Sequence, residues 1–191
     1  MIKKILEDQI KNNTKVHLSL LKMSKTIDKA IKIISTKVKK GGKILLCGNG
    51  GSAADAQHLA AEFLVRLRPK VNRKPIPAIS LAQDTSTLTA CGNDYSFDDI
   101  FLRTLQALGN KKDVLICIST SGNSKNILKV LKEAKKKGLL TIGFLGNSGG
   151  KAKKYCDHKL IVESDETARI QECHIFLGHF IFQKVEDNLI K

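Results

Sequence analysis

Lys43-Ile44-Leu45-Leu46-Cys47-Gly48-Asn49-Gly50-Gly51-Ser52-Ala53-Ala54-Asp55-Ala56-Gln57-His58, with Glu62 a further four residues on, gives the pattern from which the rest of the chain can be read. Residues 43–47 form a short apolar run, the mark of a strand buried on both faces. Three glycines then permit a tight turn and a close approach of backbone to a ligand. Ser52 stands where it can cap a helix predicted to run to about Leu67. Free N–H groups at such a helix start, beside a hydroxyl, suit an anion. His58 and Glu62 lie four residues apart and project from one face of that helix. An anion cradle and an acid/base or metal pair therefore sit within about 15 Å of each other, at ~1.5 Å rise per residue. The layout suits chemistry on a small phosphorylated molecule.

Outward from this unit the chain alternates strand-like and helix-like stretches. Further strands are predicted at 77–82, 113–118, 140–145 and 158–163. Helices are predicted at 84–91, 97–108 and 124–137, with a shorter one near 150–155 and a last one over 167–189. Two more, over 3–22 and 25–40, precede the first strand, the second with Ile27, Ala30, Ile31, Ile34 and Val38 near helical period. Strands apolar throughout, alternating with helices, imply a parallel sheet covered on both faces. The expectation is a three-layer α/β/α sandwich with about five parallel strands. Residues 1–191 are read as one domain, with N-terminal helices over 1–40 and an α/β core with a C-terminal helix over 41–191.

Ligands of open parallel sheets bind beyond the carboxyl ends of the strands. A second turn belongs there: Ser119-Thr120-Ser121-Gly122-Asn123-Ser124 carries four hydroxyls and leads into a helix whose N-terminus favours an anion. A single serine would suffice for capping, so this turn is a phosphate candidate. The pattern Gly48-x-Gly50-x-x-Ala53 overlaps the dinucleotide fingerprint, but the ribose-binding acid could only be Asp84, and Gln83-Asp84-Thr85 reads as a helix cap. No Gly-Lys-Ser/Thr follows a strand, so a nucleotide cofactor is not expected. The last helix carries Gln171, Glu172, His174 and His179, and spacing alone does not choose between the two histidines.

The 33 Lys and Arg residues against 18 Asp and Glu give a net charge of +15. Nearly all the basic residues are lysines on predicted helix surfaces, such as Lys129, Lys132, Lys135, Lys136 and Lys137, and Trp is absent. Base recognition and stacking favour arginine and aromatics, so the charge reads as a solvated face that attracts anionic substrates, with no specific nucleic-acid partner. The five cysteines form no C-x-x-C pair. No segment reads as a signal peptide or reaches the roughly 18 apolar residues of a membrane span. A cytoplasmic protein is expected.

Gly-Asn-Gly-Gly-Ser-Ala-Ala-Asp-Ala-Gln-His-x-Ala-Ala-Glu from Gly48, Gly92-Asn93-Asp94-Tyr95, Ile118 to Ser124, and Ala168-Arg169-Ile170-Gln171-Glu172-x-His174 occur in order along the chain. This combination resembles the bacterial phosphoheptose isomerases of the sugar-isomerase (SIS) family. The resemblance implies conversion of sedoheptulose 7-phosphate into D-glycero-D-manno-heptose 7-phosphate, the first step toward nucleotide-activated heptose for lipopolysaccharide or other surface glycans. It implies a homotetramer with active sites between subunits and one zinc ion per subunit, held by His58, Glu62, Gln171 and His179. It also implies substrate contacts from Asn49, Gly50, Gly51, Glu62, Asn93, Asp94, Ser119, Thr120, Ser121, Ser124 and Gln171, with Ser52 and Arg66 in support. Between His174 and His179, the resemblance selects the latter.

Isomerisation through an enediol(ate) needs a base over the reacting carbon, and Glu62 is assigned to it. A second group must move protons between the two oxygens or assist ring opening, and His179 is suited because imidazole titrates near neutrality. The chain departs from the family pattern at Val65, where glycine is common, at Leu67, where an aromatic is common, and in Arg68-Pro69-Lys70-Val71. SIS proteins that bind a sugar phosphate or the replication initiator without catalysis are the competing class. They typically lack the acid at the Glu62 position and the histidine at the His179 position; both are present here.

Overall fold

The computed structural model describes residues 1–190. In chain order the elements are α1 (Ile2–Ser19), a 3₁₀ turn (Leu20–Met23), α2 (Ser24–Lys39), β1 (Ile44–Gly48), α3 (Gly51–Leu64), β2 (Ala78–Ser80), α4 (Thr85–Asp94), α5 (Ile100–Leu108), β3 (Val114–Ser119), α6 (Lys125–Lys136), β4 (Leu140–Gly146), β5 (His158–Val162) and α7 (Thr167–Ile190). The five strands make one parallel sheet in the order β2-β1-β3-β4-β5. The expected three-layer sandwich is what forms.

Strand side chains alternate between faces, and the two cores divide accordingly. Ile44, Leu46, Ile116, Ile118 and Phe144 pack with α2, α3 and α7. Leu45, Cys47, Leu115, Cys117 and Leu145 pack with α5 and α6 on the other side. All five cysteines are free and buried, as small hydrophobes are. Helix α6 shows how the sequence chooses its face: Ile127, Val130, Leu131 and Ala134 are buried, while Lys125, Lys129, Lys132, Lys135 and Lys136 face solvent. Among the described residues, no helix is long and apolar enough to cross a membrane.

Several boundaries differ from the sequence reading. Helix α3 stops at Leu64, not Leu67, and the chain then runs irregularly to β2. Helix α4 continues to Asp94, so Asn93 and Asp94 end a helix. Ser52 does not cap α3: Gly50 is the cap residue, and Ser52 lies buried inside the first turn. Asp84 does cap α4, accepting from Ser86 N–H and Thr87 N–H at 3.1 Å each. The stretch near 150–155 shortens to a 3₁₀ turn at Ala152–Lys154.

Candidate active site

Gly48 pairs with Ile118 in the sheet, so the turns after β1 and β3 leave it side by side. In the first turn Gly50 adopts φ +57° and ψ −123°, a conformation glycine alone takes without strain. A Cβ on Gly51 would lie 2.8 Å from Gln171 Nε2, so that glycine admits the α7 side chain. Helix α7 also approaches α3 at Gly178, where a Cβ would meet Leu59 Cδ1 at 2.5 Å.

That close approach brings three chemistry-bearing side chains together. His58 Nε2 lies 2.8 Å from His179 Nε2 and 3.4 Å from Glu62 Oε1. One donor atom from each residue lies within 4.8 Å of the others, a group that could hold a metal ion. Burial pushes the His179 imidazole below its usual pKa, the His58 charge adds to this, and Glu62 opposes it. Two imidazole nitrogens this close share a hydrogen bond only when at least one ring is neutral, and a neutral ring is what a metal ligand or general base requires. Asp55, one turn before His58, has its pKa raised by burial, opposed by His58, and one carboxylate oxygen without a hydrogen-bond partner.

The structure brings His179, not His174, to His58 and Glu62. His174 is fully buried on the opposite side of α7, its ring centroid 6.1 Å from that of Phe144. Burial holds its pKa down to about 4, against an ordinary 6.5. Between those values the unfolded chain binds a proton that the folded chain refuses, so stability falls as pH drops from about 6.5 to 4. His174→Met is expected to flatten that part of the stability curve; thermal melts across the window check it, and an unchanged slope removes His174 as the cause. Gln171 lies eight residues before His179 on α7, about 12 Å of axial rise, and sits against Gly51.

The second turn is held by its own backbone. Ser119 Oγ accepts from Gly122 N–H at 3.1 Å, and Ser121 Oγ accepts from Asn123 N–H at 3.2 Å. Gly122 carries φ +63°, and a Cβ there would lie 2.2 Å from Gly149 O. Helix α6 starts directly after Ser124, so its N-terminal N–H groups point toward the turn. Thr120 and Ser124 are half-buried and Ser121 is exposed.

Two further predicted groups are exposed and form local contacts of their own. Asn93 and Asp94 are exposed, and Asn93 Nδ2 donates to Asp94 Oδ1 at 2.8 Å. Arg66 is exposed and donates to Pro69 O at 3.0 Å.

The structure also adds residues that the sequence reading missed. Asn126, buried on α6, exchanges two hydrogen bonds with Asn49. Arg73 donates to Glu62 O and Phe63 O, each at 2.8 Å, and to Glu186 Oε1 at 2.6 Å. It closes the carbonyl end of α3 and ties it to α7. Arg68 joins Glu186 and Asp187 from the same loop. Arg68 lies in the stretch that departs from the family pattern, whereas Arg73 and Asn126 gave no such signal.

Comparison with known proteins agrees along the whole chain. The family model described as SIS domain matches residues 9–146. A phosphoheptose isomerase of Clostridium acetobutylicum is 49% identical, with 98% of this chain and 96% of that protein covered. One from Helicobacter pylori is 46% identical over 95% of this chain and 96% of its own. The solved phosphoheptose isomerase of Francisella tularensis superposes with a TM-score of 0.92 at 34% identity, covering 98% of this chain and 99% of that one. That of Neisseria gonorrhoeae gives 0.90 at 36% identity, covering 98% and 100%. This chain belongs to the phosphoheptose isomerases of the SIS-domain family.

Proposed function

We propose that the protein interconverts sedoheptulose 7-phosphate and D-glycero-D-manno-heptose 7-phosphate through an enediol(ate), in the cytoplasm, as the first step of activated-heptose synthesis for surface glycans. The observation that carries this reading is the convergence of His58, Glu62 and His179 from α3 and α7, on the helix that the glycine turn opens. The phosphate sits in the Ser119–Ser124 turn, held by hydroxyls and helix-start N–H groups, and its binding energy positions the reacting carbon. Asn49, Gly50, Gly51 and Gln171 face the sugar, and Ser52 supports the turn from beneath.

Glu62 takes the proton from one carbon and returns it to the next. His179 moves a proton between the two oxygens; its lowered pKa keeps it neutral and ready to accept near pH 7. Two imidazoles and a carboxylate are a donor set that zinc accepts with a position left open, so His58, Glu62 and His179 would hold one zinc ion, with Gln171 as the further ligand the resemblance implies. When bound, zinc supplies Lewis-acid polarisation of the carbonyl. Coordination weakens a carboxylate as a base and occupies the imidazole lone pair, so Glu62 and His179 would transfer protons only where their hold on the ion is loose.

The working form is a homotetramer with active sites between subunits. Leu18, Leu21, Phe176 and Phe180 are exposed around a groove of about 880 Å³ between the N-terminal helices and α7, an apolar surface that a second copy would cover. Asn93, Asp94 and Arg66 are exposed within one chain, open to a neighbouring subunit.

Turnover of sedoheptulose 7-phosphate, run beside fructose 6-phosphate and before and after chelation, tests the reading. Product from the heptulose alone supports it; no turnover by metal-loaded protein overturns it in favour of a non-catalytic sugar-phosphate binder. Ser121→Ala removes one hydroxyl from the phosphate turn. A hydrogen bond to a charged group contributes roughly 1.5–3 kcal/mol, so KM is expected to rise about tenfold or more with little change in kcat. An unchanged KM sinks the phosphate assignment.

A further inference from the structure

Asn49 and Asn126 form a reciprocal amide pair across the two ligand-facing turns. Asn49 Nδ2 donates to Asn126 Oδ1 at 3.0 Å, and Asn126 Nδ2 donates back to Asn49 Oδ1 at 2.8 Å. Asn126 Oδ1 accepts a second bond, from Ile127 N–H at 2.9 Å, which fills its acceptor capacity. Asn126 is 2% exposed. A buried amide is costly unless its donors and acceptors are met, and here each amide satisfies the other. The pair joins the residue after β1 to the first turn of α6, 77 positions away in sequence.

The turn that this pair braces needs bracing. Gly50, next to Asn49, holds φ +57° and ψ −123°, one of the many states open to a glycine backbone, so fixing it costs conformational entropy that surrounding contacts must offset. Ser52 N–H and Ala53 N–H are already taken by Asn49 O and Gly50 O, both at 3.0 Å. Gly50 and Gly51 lie exposed at the helix start, where N–H groups have no intrahelical partner. The Asn49 amide, by contrast, is directed at α6.

We propose that Asn126 is a positioning residue: its amide locks the Asn49 side chain, so that the Asn49–Gly51 turn meets the substrate through backbone N–H groups rather than through the Asn49 amide. The proposal rests on the reading of this turn as part of the sugar-phosphate site. It assigns to Asn49 and Asn126 one shared task, and a shared task is visible as non-additivity.

The test is a double-mutant cycle of Asn49→Ala, Asn126→Ala and both together, read by kcat and KM with sedoheptulose 7-phosphate and by calorimetric binding of the same compound. Each single variant is expected to lower kcat/KM and weaken binding by about tenfold, mostly through KM. The double variant is expected to be no more than about threefold worse than the poorer single. An additive, roughly hundredfold loss in the double, or a loss confined to Asn49→Ala, shows an Asn49 side chain acting on substrate directly and overturns the proposal. A merely architectural role for Asn126 lowers the melting temperature while leaving KM unchanged well below it, and overturns the proposal too. If Asn126→Ala does not fold, Asn126→Asp gives the same reading: it keeps the volume and the acceptor for Ile127 N–H, but sets a carboxylate oxygen against Asn49 Oδ1. Unchanged binding in Asn126→Asp overturns this proposal alone, whereas absent turnover and absent binding in the unmodified chain overturn the isomerase reading and the proposal with it.

Discussion

Glu62→Gln is expected to lower kcat by at least about 100-fold, the lower end of what a general base contributes, with the ketose phosphate still bound. Glutamine keeps the length and planar shape of the side chain, and the Glu62 carbonyl keeps its bond from Arg73 at 2.8 Å, so the helix end stays closed. What is lost is the capacity to take a proton. The Glu62 side chain is 19% exposed, beside a His58 that is 49% exposed, so the carboxylate is accessible from the solvent side yet enclosed enough to be oriented. Calorimetric affinity within a few-fold of the parent, together with the collapse of turnover, separates chemistry from binding. Near-normal turnover would take Glu62 out of the mechanism.

Glu186→Ala is expected to give the largest loss of stability. Its carboxylate, 1% exposed, accepts from Arg73 at 2.6 Å and from Arg68 at 2.7 Å, and the Arg73 side chain is itself only 5% exposed. Removing one partner of a buried ion pair leaves a charge that water cannot reach, at a cost of about 3–5 kcal/mol. For a chain of this size each kcal/mol moves the melting temperature by roughly 2–4 °C, so a fall of about 6–20 °C is expected. Lys22→Ala is the contrast: its pair with Glu163 is 72% and 66% exposed, and a change of less than about 1 kcal/mol is expected. Equal melting temperatures for the two variants would show that the Arg73–Glu186 pair does not hold α3 to α7. Because this clamp grips the carbonyls of Glu62 and Phe63, the spacing of Glu62 and His179 should loosen with it.

The chain carries locally what repeats locally. The apolar run of β1, the glycines after it and the i,i+4 spacing of His58 and Glu62 each depend on residues within a few positions of one another, so the strand, the turn and the shared helix face were legible. So were the two-sided parallel sheet, from strands apolar throughout, and the Asp84 cap. The turn after β3 was recognisable by its hydroxyl content, and its place beside the first turn followed from the rule that ligands lie beyond strand ends.

Tertiary structure decided what depends on distant positions. Periodicity could not separate His174 from His179, because both lie on one long helix; the close approach at Gly178 sets His179 against His58, 121 residues away, and leaves His174 in the core. The end of α3 at Leu64 follows from Arg73 and Glu186, the latter 118 residues from the Arg68 it also binds. Ser52 reads as a cap by composition, but Gly50 takes that place because the turn needs its positive φ. Asn126 carries no pattern of its own, since its role exists only once α6 is packed beside the turn that holds Asn49. Hydrophobic spacing selects which elements form and which faces they bury; pairings between single polar side chains depend on contacts across the fold, and no local spacing encodes them.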